Sequence, residues 1–349
     1  MIDFRYHLVS IVAVFLALAI GIVLGSTELQ GTTIDALRSS SNSLNSQLSA
    51  ARDQRDAYQQ QENASEQFLQ QSEPQLIGGQ LAGDSVVIVT EPGAPGSVVD
   101  GIKQAAGIAG ATVTGQVALQ PKFYDVSGAT QSSLSVINRQ VAGSYGTVLD
   151  ATANPQTQYQ QQAAQLIATA ILEKTAGAAL LTSASAQSLL GAYAQAGYLS
   201  VSGSPSGTLA VIVSPQAAPA AGASDPANQV LLAVAQEFAV ASAATLVAGS
   251  TTGSQQPGSA MSVLRSSSAS SAVSSVDNAD TTLGQISVVE ALAAQLAGAK
   301  PNSYGISGAS SVSPAQGPSS SPSATVTPTE SQTTHPTPTG KATTPVRKK

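Results

Sequence analysis

Two carboxylates three residues apart, Asp277 and Asp280 in SVDNADTTLGQISVVEAL, come closest to a chemical constellation in this chain. Such a pair can hold a hard cation or divide the roles of acid and base. No ligand-rich loop accompanies them, and a helical pattern begins just beyond, at Leu283. The simpler expectation is that they cap and solvate the turn before that helix. Nucleophilic chemistry has even less to work with. Serines abound, but cysteine is absent and the two histidines, His7 and His335, stand at opposite ends of the chain. That arrangement excludes a Ser-His-Asp triad, an HExxH zinc site, thiolate metal centres and thiol nucleophiles within the body of the protein. Neither catalytic residues nor a cofactor are expected, and the chain reads as a non-enzyme. If it were an enzyme, carboxylate chemistry alone would remain to it.

A second stretch, TEPGAPGS, lies where a phosphate would bind, after an apolar strand and before a helix N-terminus. It departs from the G-x-x-x-x-G-K-[ST] template, because Gly96 and Gly101 are followed by Ile102 where a lysine is required. Pro92 and Pro95 also remove backbone donors that a phosphate nest would use. The expectation is a tight structural turn. The formal net charge of −6, with 10% charged and 4% aromatic residues, gives no basic stripe interleaved with aromatics. Nucleic acid is therefore not an expected partner.

The elements that would position these residues fall into four segments. Residues 1–26 read as a transmembrane anchor. Leu8 to Gly25 is 18 residues without a charge and with one hydroxyl, Ser10, long enough to span most of a bilayer core of about 30 Å. The run exceeds the apolar region of about 7 to 15 residues usual in a cleaved signal, so a retained helix is expected. Arg5, His7 and the α-amino group precede it, whereas the next basic residue is Arg38. This bias points to a cytoplasmic N-terminus and an extracytoplasmic bulk.

Residues 27–73 follow as a coiled-coil stalk. Steps of three and four from Ile34 through Leu37, Ser41, Leu44, Leu48, Ala51, Arg55, Tyr58, Glu62 and Ser65 to Leu69 trace a heptad seam, and no proline occurs before Pro74. The seam predicts a helix ending near Gln71 that pairs subunits into a homo-oligomer. Residues 74–307 predict an extracytoplasmic α/β domain with a mainly parallel sheet. Strands are expected at Ser85–Thr90, Ala111–Leu119, Ala178–Thr182, Thr208–Val213 and Ala244–Ala248. Helices are expected to start near Val98 and to cover Gln156–Glu173, Ala186–Ala196, Asn228–Ala239 and Leu283–Ala297, with Ser97 and Asp100 forming a capping box for the first. Residues 308–349, rich in Ser, Thr and Pro, predict a disordered tail.

RYHLVSIVAVFLALAIGIVLGS running into a heptad helix, then GDSVVIV, and later SVDNADTTLGQISVVEALAAQLAG with SYG, resemble the actinobacterial copper-transporter family of mycobacterial copper transport protein B. The resemblance covers roughly residues 1–306 and implies a single-pass envelope protein involved in copper efflux or copper homeostasis. Copper(I) favours Cys and Met and copper(II) favours imidazole, which leaves Met1, Met261, His7 and His335. Those four are too scattered to assign metal ligands. The family reading is therefore an oligomer that handles copper ions transiently, without a high-affinity site in one subunit. The alternative is a scaffolding envelope protein whose α/β domain binds a partner or a cell-wall component.

Overall fold

A computed structural model describes residues 4–150, 154–177, 181–219 and 221–314, with backbone alone at residue 4 and residues 26–34. It begins with one helix, α1 (Phe4–Ile77), of 74 residues. With no proline before position 74, nothing interrupts the backbone ladder between the apolar segment and the stalk. The helix passes the expected end near Gln71 and takes in Pro74, whose ring removes one N–H so close to the terminus that the helix survives it. Gly78 N–H closes the last turn on the Pro74 carbonyl at 3.2 Å, and Gly79, at φ 78°, turns the chain out through the left-handed region.

The remaining elements, in chain order, are β1 (Ser85–Thr90), α2 (Gly96–Ile108), β2 (Thr112–Leu119), α3 (Gly128–Tyr145), α4 (Gln158–Ile171), α5 (Ser183–Gln195), β3 (Leu199–Gly203), β4 (Leu209–Val213), α6 (Pro226–Ala241), β5 (Ala244–Ala248), α7 (Thr251–Ser254), α8 (Ala260–Ser266), β6 (Ser274–Val276), α9 (Thr282–Leu296) and β7 (Ser303–Tyr304). Among the described residues the strands form one seven-stranded sheet, ordered β3-β2-β1-β4-β5-β6-β7. Neighbours run parallel, except for β2 with β3.

Both faces are covered, which explains why the central strands are apolar without alternation. Val87, Val89, Ala210, Ile212 and Val247 join one core with residues of α3, α4, α5, α6 and α8. Val86, Ile88, Leu209, Val211 and Leu246 join the other with α2, α9 and Ile77 at the end of α1. Each fully buried Val, Ile or Leu contributes about 1.5–3 kcal/mol. The stalk is therefore tied to the domain through its last turns.

Four expectations are corrected. The capping box is absent: Pro95 is the N-cap of α2, with no side-chain bond, and Ser97 already lies inside the helix. Asp100 faces Lys103 at 3.9 Å instead. The strand expected at Ala178–Thr182 falls partly on residues 178–180, outside the described residues. Thr182 itself is the N-cap of α5, accepting from Ser185 N–H at 3.2 Å. The outer strands β3, β6 and β7 and the helix α3 were not expected. Finally, the start of the expected tail is docked: Ser310 N–H donates to the Ser303 carbonyl at 3.0 Å and Gly305 N–H to the Ser311 carbonyl at 3.0 Å, while Ser313 hydrogen-bonds Glu290. Residues 315–349 lie outside the described residues.

Candidate functional site

The sheet order reverses at β1. The chain leaves β1 through α2 to reach β2 on one side, while β4 flanks it on the other. At such a switch point the loops beyond the strands' carboxyl ends part, and open α/β sheets place their ligands in that crevice. A cleft of about 250 Å³ opens here. Its walls include Pro92 from the turn after β1, Pro121 and Tyr124 from the short 3-10 turn after β2, Pro215 and Pro219 from the loop after β4, and Leu231 of α6.

The turn TEPGAPGS is a structural turn in which Ala94 N–H donates to the Glu91 carbonyl at 3.1 Å. Gly93, at φ 85°, allows its carbonyl to accept Gln216 N–H at 3.1 Å, so the two loops are stapled together. What the turn brings to the cleft is acidic. Glu91 is 5% exposed. The Tyr124 hydroxyl donates to its Oε1 at 2.5 Å, and its Oε2 is buried with no partner among the described residues. Burial pushes the Glu91 carboxyl up to about 8, against a smaller opposing effect of the Tyr124 hydrogen bond. Tyr124 is held well above its usual range by burial and by the adjacent carboxylate. In the sequence the glycines of this turn draw attention and its acid does not. The available signal was a carboxylate set directly after an all-apolar strand and before a proline. Nothing in QPKFYD pointed to Tyr124.

The other sequence candidates do not converge on this cleft. Asp277 is fully buried, contrary to the solvated pair expected. Its Oδ2 accepts from Arg265 at 2.7 Å and from Ser307 N–H at 2.8 Å, and its Oδ1 accepts Ile306 N–H at 2.8 Å. Arg265 is held in turn by Ser275 Oγ at 3.0 Å and the Tyr304 carbonyl at 2.8 Å. This network fastens β7 and the segment behind it to the end of β6. Asp280 accepts Thr251 N–H at 2.8 Å and so binds the first turn of α7. The two carboxylates thus serve different elements.

Met261 lies within the core on the α6 side, 1% exposed. His7 is exposed on α1, and Met1 and His335 lie outside the described residues. Among the described residues, no three His, Cys, Asp or Glu side chains converge on a point that could hold a metal. Arg5–Gly25 of α1 is long and apolar enough to cross a membrane, and no part of it is buried against the domain. Leu37, Leu44, Leu48 and Tyr58, further along the same helix, are 67%, 64%, 49% and 63% exposed.

The family model described as "Copper transport outer membrane protein, MctB" matches residues 1–314. The protein named "Copper transporter MctB" of Mycobacterium tuberculosis H37Rv is 31% identical over 326 residues, covering 90% of this chain and 100% of the relative. Its namesake from Mycobacterium bovis AF2122/97 matches to the same extent. That of Mycobacterium leprae is 29% identical over 334 residues, again covering 90% of this chain and the whole of the relative. The apolar helix and this likeness together support a membrane or envelope location. Matched from the apolar helix through the docked segment after β7, this chain belongs to the MctB copper-transport family.

Proposed function

We propose that the protein is a single-pass envelope protein of copper homeostasis, with its N-terminus in the cytoplasm and its α/β domain outside. In this reading it assembles as an oligomer through the stalk of α1 and passes or retains copper without a high-affinity site in one subunit. The observation that carries the proposal is the family match, which includes the membrane helix as well as the domain. The donor set supports the last clause. Met261 is sealed in a core, His7 is a lone imidazole beside the apolar segment, and copper sites of high affinity gather several soft or imidazole ligands. An oligomer would multiply His7 around a shared axis, which is how weak sites become a path.

The test is deletion of the gene, followed by measurement of cell-associated copper and of growth under copper stress. Raised copper content and greater sensitivity, both restored by the full chain, are the expected results. Unchanged copper content on deletion would overturn the copper assignment and leave the scaffolding reading, in which the α/β domain binds a partner.

A further inference from the structure

We infer that a second cleft, between the carboxyl-terminal ends of α4 and α6, binds a linear diamine, one ammonium group on Glu237 and the other on Asp150. The inference does not depend on copper handling. This cleft, of about 330 Å³, has walls that include Leu172 and Glu173 after α4, Glu237 and Val240 of α6, and Asp150. It lies at the end of the sheet where β4 begins, since Glu173 N–H donates to the Gly207 carbonyl at 3.0 Å. Glu237 is 8% exposed, and Gln161 Nε2 donates to its Oε1 at 2.7 Å. Its Oε2 has no partner among the described residues and, unlike Glu91 Oε2, is not sealed from the cleft. The carboxyl is therefore oriented before anything binds, with one reachable oxygen left over. Asp150 stands at the open side. Its N–H donates to Gln165 Oε1 at 3.1 Å and its carbonyl accepts Gln162 Nε2 at 3.4 Å, so its backbone is tied to α4. Its carboxylate has no partner among the described residues.

The sign of the ligand follows from the charges gathered here. Burial raises the Glu237 carboxyl above its usual range against the lowering effect of the Gln161 hydrogen bond, and the Asp150 charge adds to the rise. Glu173 contributes a third negative charge through space, because its Oε2 is sealed. Two helices also end at the cleft, each terminus equivalent to about half a negative charge, and neither has a basic residue in its last turn. Lys174, exposed, is the one cation among the lining residues, and it pairs with no carboxylate among the described residues. Three carboxylates against one lysine leave a formal charge of −2 on the lining, which a diamine matches with opposite sign. An ammonium is donor only, as an unpartnered carboxylate oxygen requires. A compact metal ion is not the match, because no three His, Cys, Asp or Glu side chains among the described residues converge on one point. A linear dication instead reaches separate carboxylates with its two ends. Its methylenes rest on Leu172 and Val240, and the volume lies within the range of about 300–1,000 Å³ usual for small-molecule sites.

Titration calorimetry on the full chain in detergent micelles at physiological salt, with 1,4-diaminobutane, butylamine, succinate and magnesium chloride as probes, tests the inference. Saturable binding is expected for the diamine. Butylamine should bind about tenfold or more weaker, the scale of one charge-assisted hydrogen bond, and succinate and magnesium should not bind. Glu237→Gln and Asp150→Asn should each weaken the diamine by a similar factor. Asp150 is exposed, so its variant should keep the natural Tm and decides the matter even where Glu237→Gln fails to fold. Asp100→Asn, on α2 and with its side chain 80% exposed, removes the same charge elsewhere and should leave binding unchanged. Three results would overturn the inference: no saturable diamine binding by the full chain, butylamine or magnesium binding as tightly as the diamine, or Asp100→Asn weakening it as much as Asp150→Asn.

Discussion

Glu91 and the Arg265–Asp277 pair are the two places where single side chains decide most. Glu91 takes its folded value from burial, which raises it from 4.5 to about 8. A carboxyl whose folded value is raised binds more protons folded than unfolded between those limits. Its contribution to stability is thus complete below 4.5 and is lost as pH rises through about 8. Glu91→Gln cannot titrate, so the Tm of the natural protein should fall relative to this variant across that window. Parallel Tm curves would show that Glu91 is not protonated when folded. Asp277 is a different case, because its charge is fully buried but matched by Arg265 and two backbone N–H groups. Arg265→Met leaves that carboxylate without its counter-charge and should cost about 3–5 kcal/mol, measured by urea denaturation. Gly305, at φ 125°, would place a Cβ 1.9 Å from Asp277 Oδ1, so Gly305→Ala should destabilise the same latch. In sequence, Asp277 was visible as a carboxylate but not as a buried one. Its partners stand 12 residues before it and 29 and 30 residues after it, and only the fold brings them together.

The legible elements were those whose hydrophobic pattern is their own. SVVIVT and ATLVA are apolar runs bounded by turn residues, and they became β1 and β5 at the residues read. LSVSG, SSV and SY carry no such pattern, because β3, β6 and β7 are strands through pairing with a neighbour that was already there. In the same way α3, GATQSSLSVINRQVAGSY, hides its buried line of Leu134, Asn138 and Val141 among polar residues. Its central Asn is satisfied by the Tyr159 carbonyl and the Tyr193 hydroxyl, both at 2.8 Å. Between stalk and domain, the coupling is carried by Glu66, whose carboxylate accepts Thr282 N–H at 2.9 Å and also the Thr282 hydroxyl. It completes the cap of α9 that Thr281 begins. Glu66→Ala should cost about 0.5–2 kcal/mol, the scale of a lost helix cap, and should speed proteolysis at the base of the stalk. Further up, Leu44→Asp with Leu48→Asp should reduce crosslinked oligomers of the purified full chain while the domain's Tm holds, since both leucines are exposed in the single subunit. Undiminished crosslinking would remove the stalk as the pairing element.

At the scale of the whole chain, the continuity of α1 makes the membrane question mechanical. Residues 26–65 lie between the apolar segment and the first domain contact, and at about 1.5 Å per residue they extend about 60 Å. A helix of that length joined to a retained membrane segment holds the domain at a distance. Joined to a cleaved segment, it would be a free arm with exposed leucines and no anchor to align copies of itself. The absence of cysteine makes the choice measurable, because Asp3→Cys and Ser46→Cys each introduce a sole thiol. In intact cells a membrane-impermeant maleimide should label Ser46→Cys and should reach Asp3→Cys only after permeabilisation. If the segment were removed after export, the Asp3→Cys chain would carry no thiol under either condition and its mass would be lower. Labelling of Asp3→Cys in intact cells would reverse the orientation instead. The charge bias that predicts a cytoplasmic N-terminus rests on Arg5, His7 and the α-amino group, so Arg5→Glu should shift labelling toward the reversed orientation. The uncharged run Leu8–Gly25 keeps its sequence in that variant, so any shift would measure the charge at position 5.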